Sequence, residues 1–139
     1  MSESGYSFTT DIRVRYAETD AMKVVYHGNY LTYFEEARTN LFRSMGVVYS
    51  EIEKVGFYLV VLEASAQYRR SAVYDDVLHV KATLRELPAM KLTISYGITR
   101  GDSTEVLVTG QTVHAFVNAA TGRPVRPPQE YLNIMKRYF

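Results

Sequence analysis

Asp20, His27 and Gly28 fall within the nine residues DAMKVVYHG, and the run that follows them opens the longest helical pattern of the chain. A carboxylate can act as a general base toward water or attack as a nucleophile, and a histidine exchanges a proton near neutral pH. The first turn of a helix adds backbone N–H groups that lack an intrahelical acceptor and are suited to meet negative charge. Gly28 lets a ligand come close to that backbone. Residue type alone also allows plainer roles. On that ground alone Asp20 reads first as a loop aspartate that caps a turn, and His27 can be a side chain bracing a loop. Glu35, about two turns along the helix from His27, needs no role beyond that of a surface acid.

Other chemistries are poorly served. The chain has no cysteine, which removes thiol nucleophiles, disulfides and thiolate metal sites. His27, His79 and His114 show no compact ligand spacing, and no phosphate loop, dinucleotide fingerprint or serine elbow occurs, so neither a metal nor a bound redox cofactor is expected. His79 and His114 sit inside strand patterns and read as packing or interface residues. A net charge of +1 gives no general case for nucleic-acid binding. The apolar runs are too short for a membrane span, and the polar start MSESGYSFTTD carries no hydrophobic targeting segment. A cytoplasmic protein without membrane insertion is expected.

The elements that must position these residues follow from periodicity. Tyr30, Phe34, Ala37, Leu41 and Met45 recur every three or four residues, which predicts an amphipathic helix from Tyr30 to Gly46, closed by the glycine. Alternation from Phe8 to Tyr16 predicts a strand, after a frayed start over Met1–Gly5. Residues 47–56 suggest one further helical turn. Four strands are expected at Tyr58–Tyr68, Val77–Leu87, Lys91–Thr99 and Thr104–Val117, neighbouring one another antiparallel, with Gly101-Asp102 as a hairpin turn. A short terminal helix follows Pro128. One helix covers only part of such a sheet, yet the last strand is apolar on both parities: Val106 and Val108 on one side, Leu107, Val113, Ala115 and Val117 on the other. That pattern predicts self-association, most simply as a homodimer.

The segments RYAETDAMKVVYHGNYLTYFEEARTNLFRSMG, YRRSAVYDDVLHVKA and HAFVNAATGRPVRPP together resemble the hot-dog-fold acyl-CoA thioesterases. Within them the chain is similar to the group that holds 4-hydroxybenzoyl-CoA thioesterase and the short bacterial thioesterases encoded near the Tol-Pal envelope system. The resemblance covers nearly the whole chain. It implies a single α+β domain over residues 1–139, in which a five-stranded antiparallel sheet wraps a long central helix. It also implies dimers or tetramers with active sites at subunit interfaces, hydrolysing the thioester between an acyl group and coenzyme A. Coenzyme A is then part of the substrate rather than a cofactor, and acyl carrier protein is a further thioester partner. A departure occurs at Met22-Lys23, where many relatives carry a small or glycine-containing turn.

The resemblance assigns the site. Asp20 matches the family's catalytic carboxylate, as general base or as nucleophile. His27 matches a histidine of the envelope-associated branch and would assist at the carbonyl or at the departing thiolate. The helix entry, with His27, Gly28, Asn29 and Tyr30, would polarise the carbonyl. By residue type Asn29 reads as the helix N-cap, whereas the resemblance places the entry one or two residues earlier. Tyr30, Tyr33 and Phe34 are candidates to line an acyl pocket, and Glu35 to support the site from behind. Arg69, Arg70, Arg123 and Arg126 are candidates for the phosphates of coenzyme A, or else form a solvated basic surface. Two alternatives share the fold: a non-catalytic acyl-CoA-binding or scaffold protein, and an acyl dehydratase that abstracts a carbon-bound proton.

Overall fold

A computed structural model describes residues 5–139, so the frayed start expected for the first residues lies, Gly5 apart, outside the described residues. The order is β1 (Tyr6–Arg13), α1 (Asn29–Ser44), α2 (Tyr49–Lys54), β2 (Phe57–Tyr68), β3 (Val77–Leu84), β4 (Leu92–Arg100), β5 (Val108–Asn118), β6 (Pro124–Val125) and α3 (Gln129–Met135). This is the α+β hot-dog arrangement, with α1 laid across an antiparallel sheet. Tyr30, Tyr33, Phe34, Ala37, Leu41 and Phe42 form the buried face of α1. The helix stops where Gly46 turns left-handed at φ 89° and its N–H bonds to the Arg43 carbonyl at 2.9 Å.

The strand order is β1-β3-β4-β5-β2, with β6 a two-residue addition to β5. The last four long strands neighbour one another antiparallel, as expected, in the order β3-β4-β5-β2, so that β2 lies beside β5 rather than beside β3. Here α1 and α2 carry the chain across the sheet, so β1 and β2 occupy opposite edges and β2 pairs with β5. Three boundaries also move: β1 ends at Arg13, β3 at Leu84, and β5 starts only at Val108. Residues 101–107 form a longer connection than a tight hairpin. Leu107 in it mimics a strand residue because it is buried, gives its N–H to Ile98 at 2.8 Å, and accepts the amides of Arg69 and Arg70 at 2.8 and 3.1 Å.

Phe34 shows how closely the helix meets the sheet. Its ring stacks on Tyr96 with centroids 4.3 Å apart, and its edge occupies the space a side chain on Gly110 would need. The apolar outer face of β5 needs no second chain to cover it. Val113, Ala115 and Val117 are buried within this chain, with Tyr58 and Val60 of β2 registered beside Val117 and Ala115. The uncovered apolar surface lies on β2, where Val61 and Leu62 are 51% and 47% exposed along a sheet edge with no further strand among the described residues. No described helix is long and apolar enough to cross a membrane.

Candidate active site

Residues 18–26 form a tongue that carries Asp20 to its tip. Tyr26 N–H bonds to the Glu18 carbonyl and Asp20 N–H to the Val24 carbonyl, both at 2.9 Å, with a bridge between Thr19 and Val25. At the tip, Lys23 N–H donates to the Asp20 carbonyl at 2.9 Å and Met22 N–H donates to Asp20 Oδ1 at 2.8 Å. Asp20 therefore does cap a turn, but with one carboxylate oxygen only. Lys23 sits at φ 65°, the left-handed region where glycine is at ease and a lysine is strained. The larger residues at Met22-Lys23 thus keep a glycine-type turn at a conformational cost.

The tongue is anchored on both sides. Val25 N–H reaches the Ala72 carbonyl at 2.9 Å, and Val24 bridges to Val73. On the helix side, Asn29 Nδ2 donates to the Glu18 carbonyl at 2.8 Å and the Tyr33 hydroxyl to Glu18 Oε1 at 2.9 Å. Burial first, and the Glu18 carboxylate second, hold the Tyr33 hydroxyl well above the usual tyrosine range. Glu18 is a positioning residue that sequence reasoning missed. Its partners lie up to fifteen residues away, and no local pattern marks it.

The helix entry corrects one expectation. Gly28, not Asn29, is the N-cap, and Asn29 is already helical because its side chain is engaged by the tongue. Asn29 and Tyr30 amides bond back to the Tyr26 and His27 carbonyls at 2.9 and 3.3 Å. The amides of His27 and Gly28 donate to no partner among the described residues. Two adjacent free N–H groups therefore stand where the earlier helix entry was expected. The His27 carbonyl also accepts the Tyr68 hydroxyl at 3.2 Å, tying the end of β2 to this corner. The exposed His27 ring lies beside those of Tyr26 and Tyr68, with centroids 4.3 and 6.2 Å away. A side chain on Gly28 would meet the Tyr26 ring at 2.9 Å, so the glycine admits this aromatic neighbour.

The remaining candidates disperse. Tyr30 is buried, with its hydroxyl accepting the Ala72 amide at 3.2 Å, and Phe34 belongs to the core. Tyr33 faces Glu18 as described. Glu35 instead lines a groove of about 490 Å³ between α1, α2 and β2, together with Arg38, Phe42, Tyr49, Leu59 and Val61. Arg69 and Arg70 follow β2 at its Tyr68 end, where Arg70 is bound to Glu105 at 3.2 Å. Arg123 and Arg126 are exposed around β6, which pairs with β5 beside the Phe57 end of β2. The two arginine pairs are thus separated by the length of β2, roughly 35 Å at about 3.3 Å per residue.

The other histidines stay apart from this corner. His79 is a surface brace rather than a packing residue, with Nδ1 2.6 Å from Asp11 Oδ1 and Nε2 3.0 Å from the Gly101 carbonyl. The Asp11 hydrogen bond raises its pKa. His114 is a core residue, 1% exposed, with Nε2 2.7 Å from Thr112 Oγ1. Burial, then the Arg38 charge, pushes its pKa down to about 4. Its Nδ1 makes no hydrogen bond of acceptable geometry, although the Val60 backbone lies beside it. Among the described residues no three His, Cys, Asp or Glu side chains gather as a metal site would require.

Comparison with known proteins bears on this geometry. Residues 14–135 match the family described as the thioesterase-like superfamily. The acyl-CoA thioesterase YbgC of Haemophilus influenzae is 31% identical over 131 residues, covering 94% of this chain and 93% of that one. Among solved structures, DHNA-CoA thioesterase from Staphylococcus aureus superposes with a TM-score of 0.88 at 30% identity, over 94% of this chain and 89% of that chain. A hypothetical protein from Aquifex aeolicus superposes with a TM-score of 0.84 at 37% identity, over 92% and 98%.

Proposed function

The chain belongs to the thioesterase-like superfamily and is an acyl-CoA thioesterase, and from that premise we propose that Asp20 opens the thioester while the His27 and Gly28 amides hold its carbonyl oxygen. The observation that carries this reading is the pair of unpartnered amides at the root of the tongue whose tip is Asp20. Oδ1 of Asp20 is committed to the turn, which leaves Oδ2 for chemistry. Oδ2 either takes a proton from an attacking water or attacks the carbonyl carbon itself, giving a mixed anhydride that water then cleaves. In both routes charge develops on the former carbonyl oxygen, and two fixed N–H donors stabilise it. The exposed His27 ring is available to protonate the departing thiolate.

Assembly completes the site in this reading. The free edge of β2 pairs with the same edge of a second copy about a twofold axis, which forces the two strands antiparallel. The Tyr68 end of one chain, with Asp20, His27, Arg69 and Arg70, then meets the Phe57 end of its partner, with the partner's groove and second arginine pair. Residues 35 Å apart in one chain by about 3.3 Å per residue become neighbours across two. The acyl group enters the partner's groove, and arginines of both chains face the coenzyme A phosphates. A thioester on acyl carrier protein would use the same groups, and the cytoplasm is the compartment this reading supports.

Purified protein is expected to sediment as a dimer or a multiple of it and to release free thiol from a panel of aliphatic and hydroxyaryl coenzyme A thioesters. An assembled protein that hydrolyses none of them overturns the catalytic reading. A monomer that turns over normally overturns the two-chain site.

A further inference from the structure

Arg38 brings a positive charge to a polar chain that otherwise carries none. Its Nη1 donates to the Tyr96 hydroxyl at 3.3 Å, Tyr96 and Thr112 hydroxyls are 2.7 Å apart, and Thr112 is 2.7 Å from His114 Nε2. His114 is neutral at physiological pH, being buried next to that guanidinium. Arg38 is half-buried, yet it forms no ion pair among the described residues. Glu35 and Glu53 line the same groove without pairing with it. A guanidinium withdrawn from water without an anion is costly, and a ligand that supplies an acceptor recovers that cost.

Phe42, Val48, Leu59 and Val61 give the groove around Arg38 an apolar wall, beside the polar Arg43, Ser50 and Glu53. Of its two arginines, Arg43 donates to Asn40 on the same helix, whereas Arg38 reaches from α1 toward β4 and the Tyr96 hydroxyl. We propose that Arg38 selects acyl groups that carry an acceptor oxygen at the end remote from the thioester, a carboxylate before a hydroxyl, over plain alkyl groups of the same length. Apolar walls hold the methylenes and the guanidinium binds the terminal oxygen in a charge-assisted hydrogen bond. This rests on the reading that the acyl group of a thioester lies in the groove.

The test compares hexanoyl-, 6-hydroxyhexanoyl- and adipoyl-coenzyme A. The wild type is expected to favour adipoyl over hexanoyl by about ten- to a hundredfold in kcat/KM, the range of one hydrogen bond to a charged group, with the hydroxy compound between. Arg38→Met is expected to bring the ratio to one or below, and Arg38→Lys to leave part of it. A wild-type ratio of one or less, or an unchanged ratio in folded Arg38→Met, overturns the proposal. Should the methionine variant not fold, the wild-type ratio and the lysine variant still decide. Calorimetric binding of the matching non-hydrolysable thioethers separates the two claims. Preference without hydrolysis sinks the enzymatic reading alone, and binding without preference sinks this one even where hydrolysis stands.

Discussion

Replacing Asp20 with asparagine separates the two jobs its carboxylate holds. Oδ1 accepts the Met22 N–H at 2.8 Å, and the asparagine carbonyl oxygen can keep that bond, so the turn and the tongue should survive. What is lost is Oδ2, replaced by an amide nitrogen that can neither take a proton from water nor attack a carbonyl. Turnover should therefore fall by about a hundred- to ten-thousandfold, the contribution of a positioned acid–base group. Stability should move by less than about 0.5 kcal/mol, as for a substitution that leaves its contacts in place. Asp20→Ala supplies the contrast, since it removes both oxygens and should add a stability loss of about 1 kcal/mol for the missing cap. Thiol release measured beside thermal unfolding, at fixed protein concentration, reads both quantities. Wild-type turnover in folded Asp20→Asn would refute the assignment of Oδ2. Equal stability losses in the two variants would refute the division of labour between the oxygens.

Three further predictions concern His27, Lys23 and the two structural histidines. His27→Ala removes a ring that makes no hydrogen bond, since the partners of this residue use its backbone carbonyl, so turnover should fall about tenfold or more with the melting temperature nearly unchanged; intact turnover would remove the ring from the mechanism. Lys23→Gly relieves a left-handed strain of about 1–2 kcal/mol while loosening the unfolded chain by about half as much, so calorimetry should show a rise of about 2–4 °C, and a fall would show that the turn is unstrained. The two structural histidines should bend the pH–stability curve in opposite senses. His114, depressed from its ordinary 6.5 to about 4, contributes stability above about 6.5 that is lost as pH falls toward about 4. His79, raised above 6.5 chiefly by Asp11, contributes stability below 6.5 that is lost as pH rises through its folded value. Urea midpoints of His79→Gln should lose the slope above about 6.5 and keep the acid limb, and a retained alkaline slope would sink the assignment to His79.

Much of the fold was readable because it rests on local pattern. The apolar stripe from Tyr30 to Met45 specifies α1, and Gly46 its end, whatever the sheet does around it. The place of β2 in the strand order was not readable, because β2 pairs with β5, a partner distant in sequence, and no local pattern in β2 names that partner. The strand boundary at Val108 was missed because Leu107, just before it, is as buried as a strand residue and its carbonyl accepts the Arg69 and Arg70 amides. At the site, Asp20, His27 and Gly28 stood out as an acid, a histidine and a glycine ahead of the helix, and the family resemblance supplied their roles. Glu18, Tyr68 and Arg38 did not, because each acts through a partner distant in sequence. Asn29 misled because the side chain that suits an N-cap was recruited by the tongue instead.

The features assigned to the proposed site and interface share one physical character, which is that the described residues leave them without a partner or in a disfavoured conformation. Among the described residues two helix-entry amides have no acceptor, one oxygen of Asp20 has no donor and a half-buried Arg38 has no anion, while Lys23 is held in a conformation it disfavours. Along β2 an entire strand edge has no neighbour among the described residues, with Val61 and Leu62 exposed upon it. The strained Lys23, the half-buried cation and the uncovered apolar edge cost stability in a single chain, and local rules are seldom broken together without a compensating gain. The compensation proposed here comes from outside the chain: a second copy satisfies the strand edge, a thioester carbonyl the amides, and the end of an acyl group the arginine. On this account the site and the interface are one arrangement, because the strand whose edge demands a partner also separates the carboxylate from the groove it must serve.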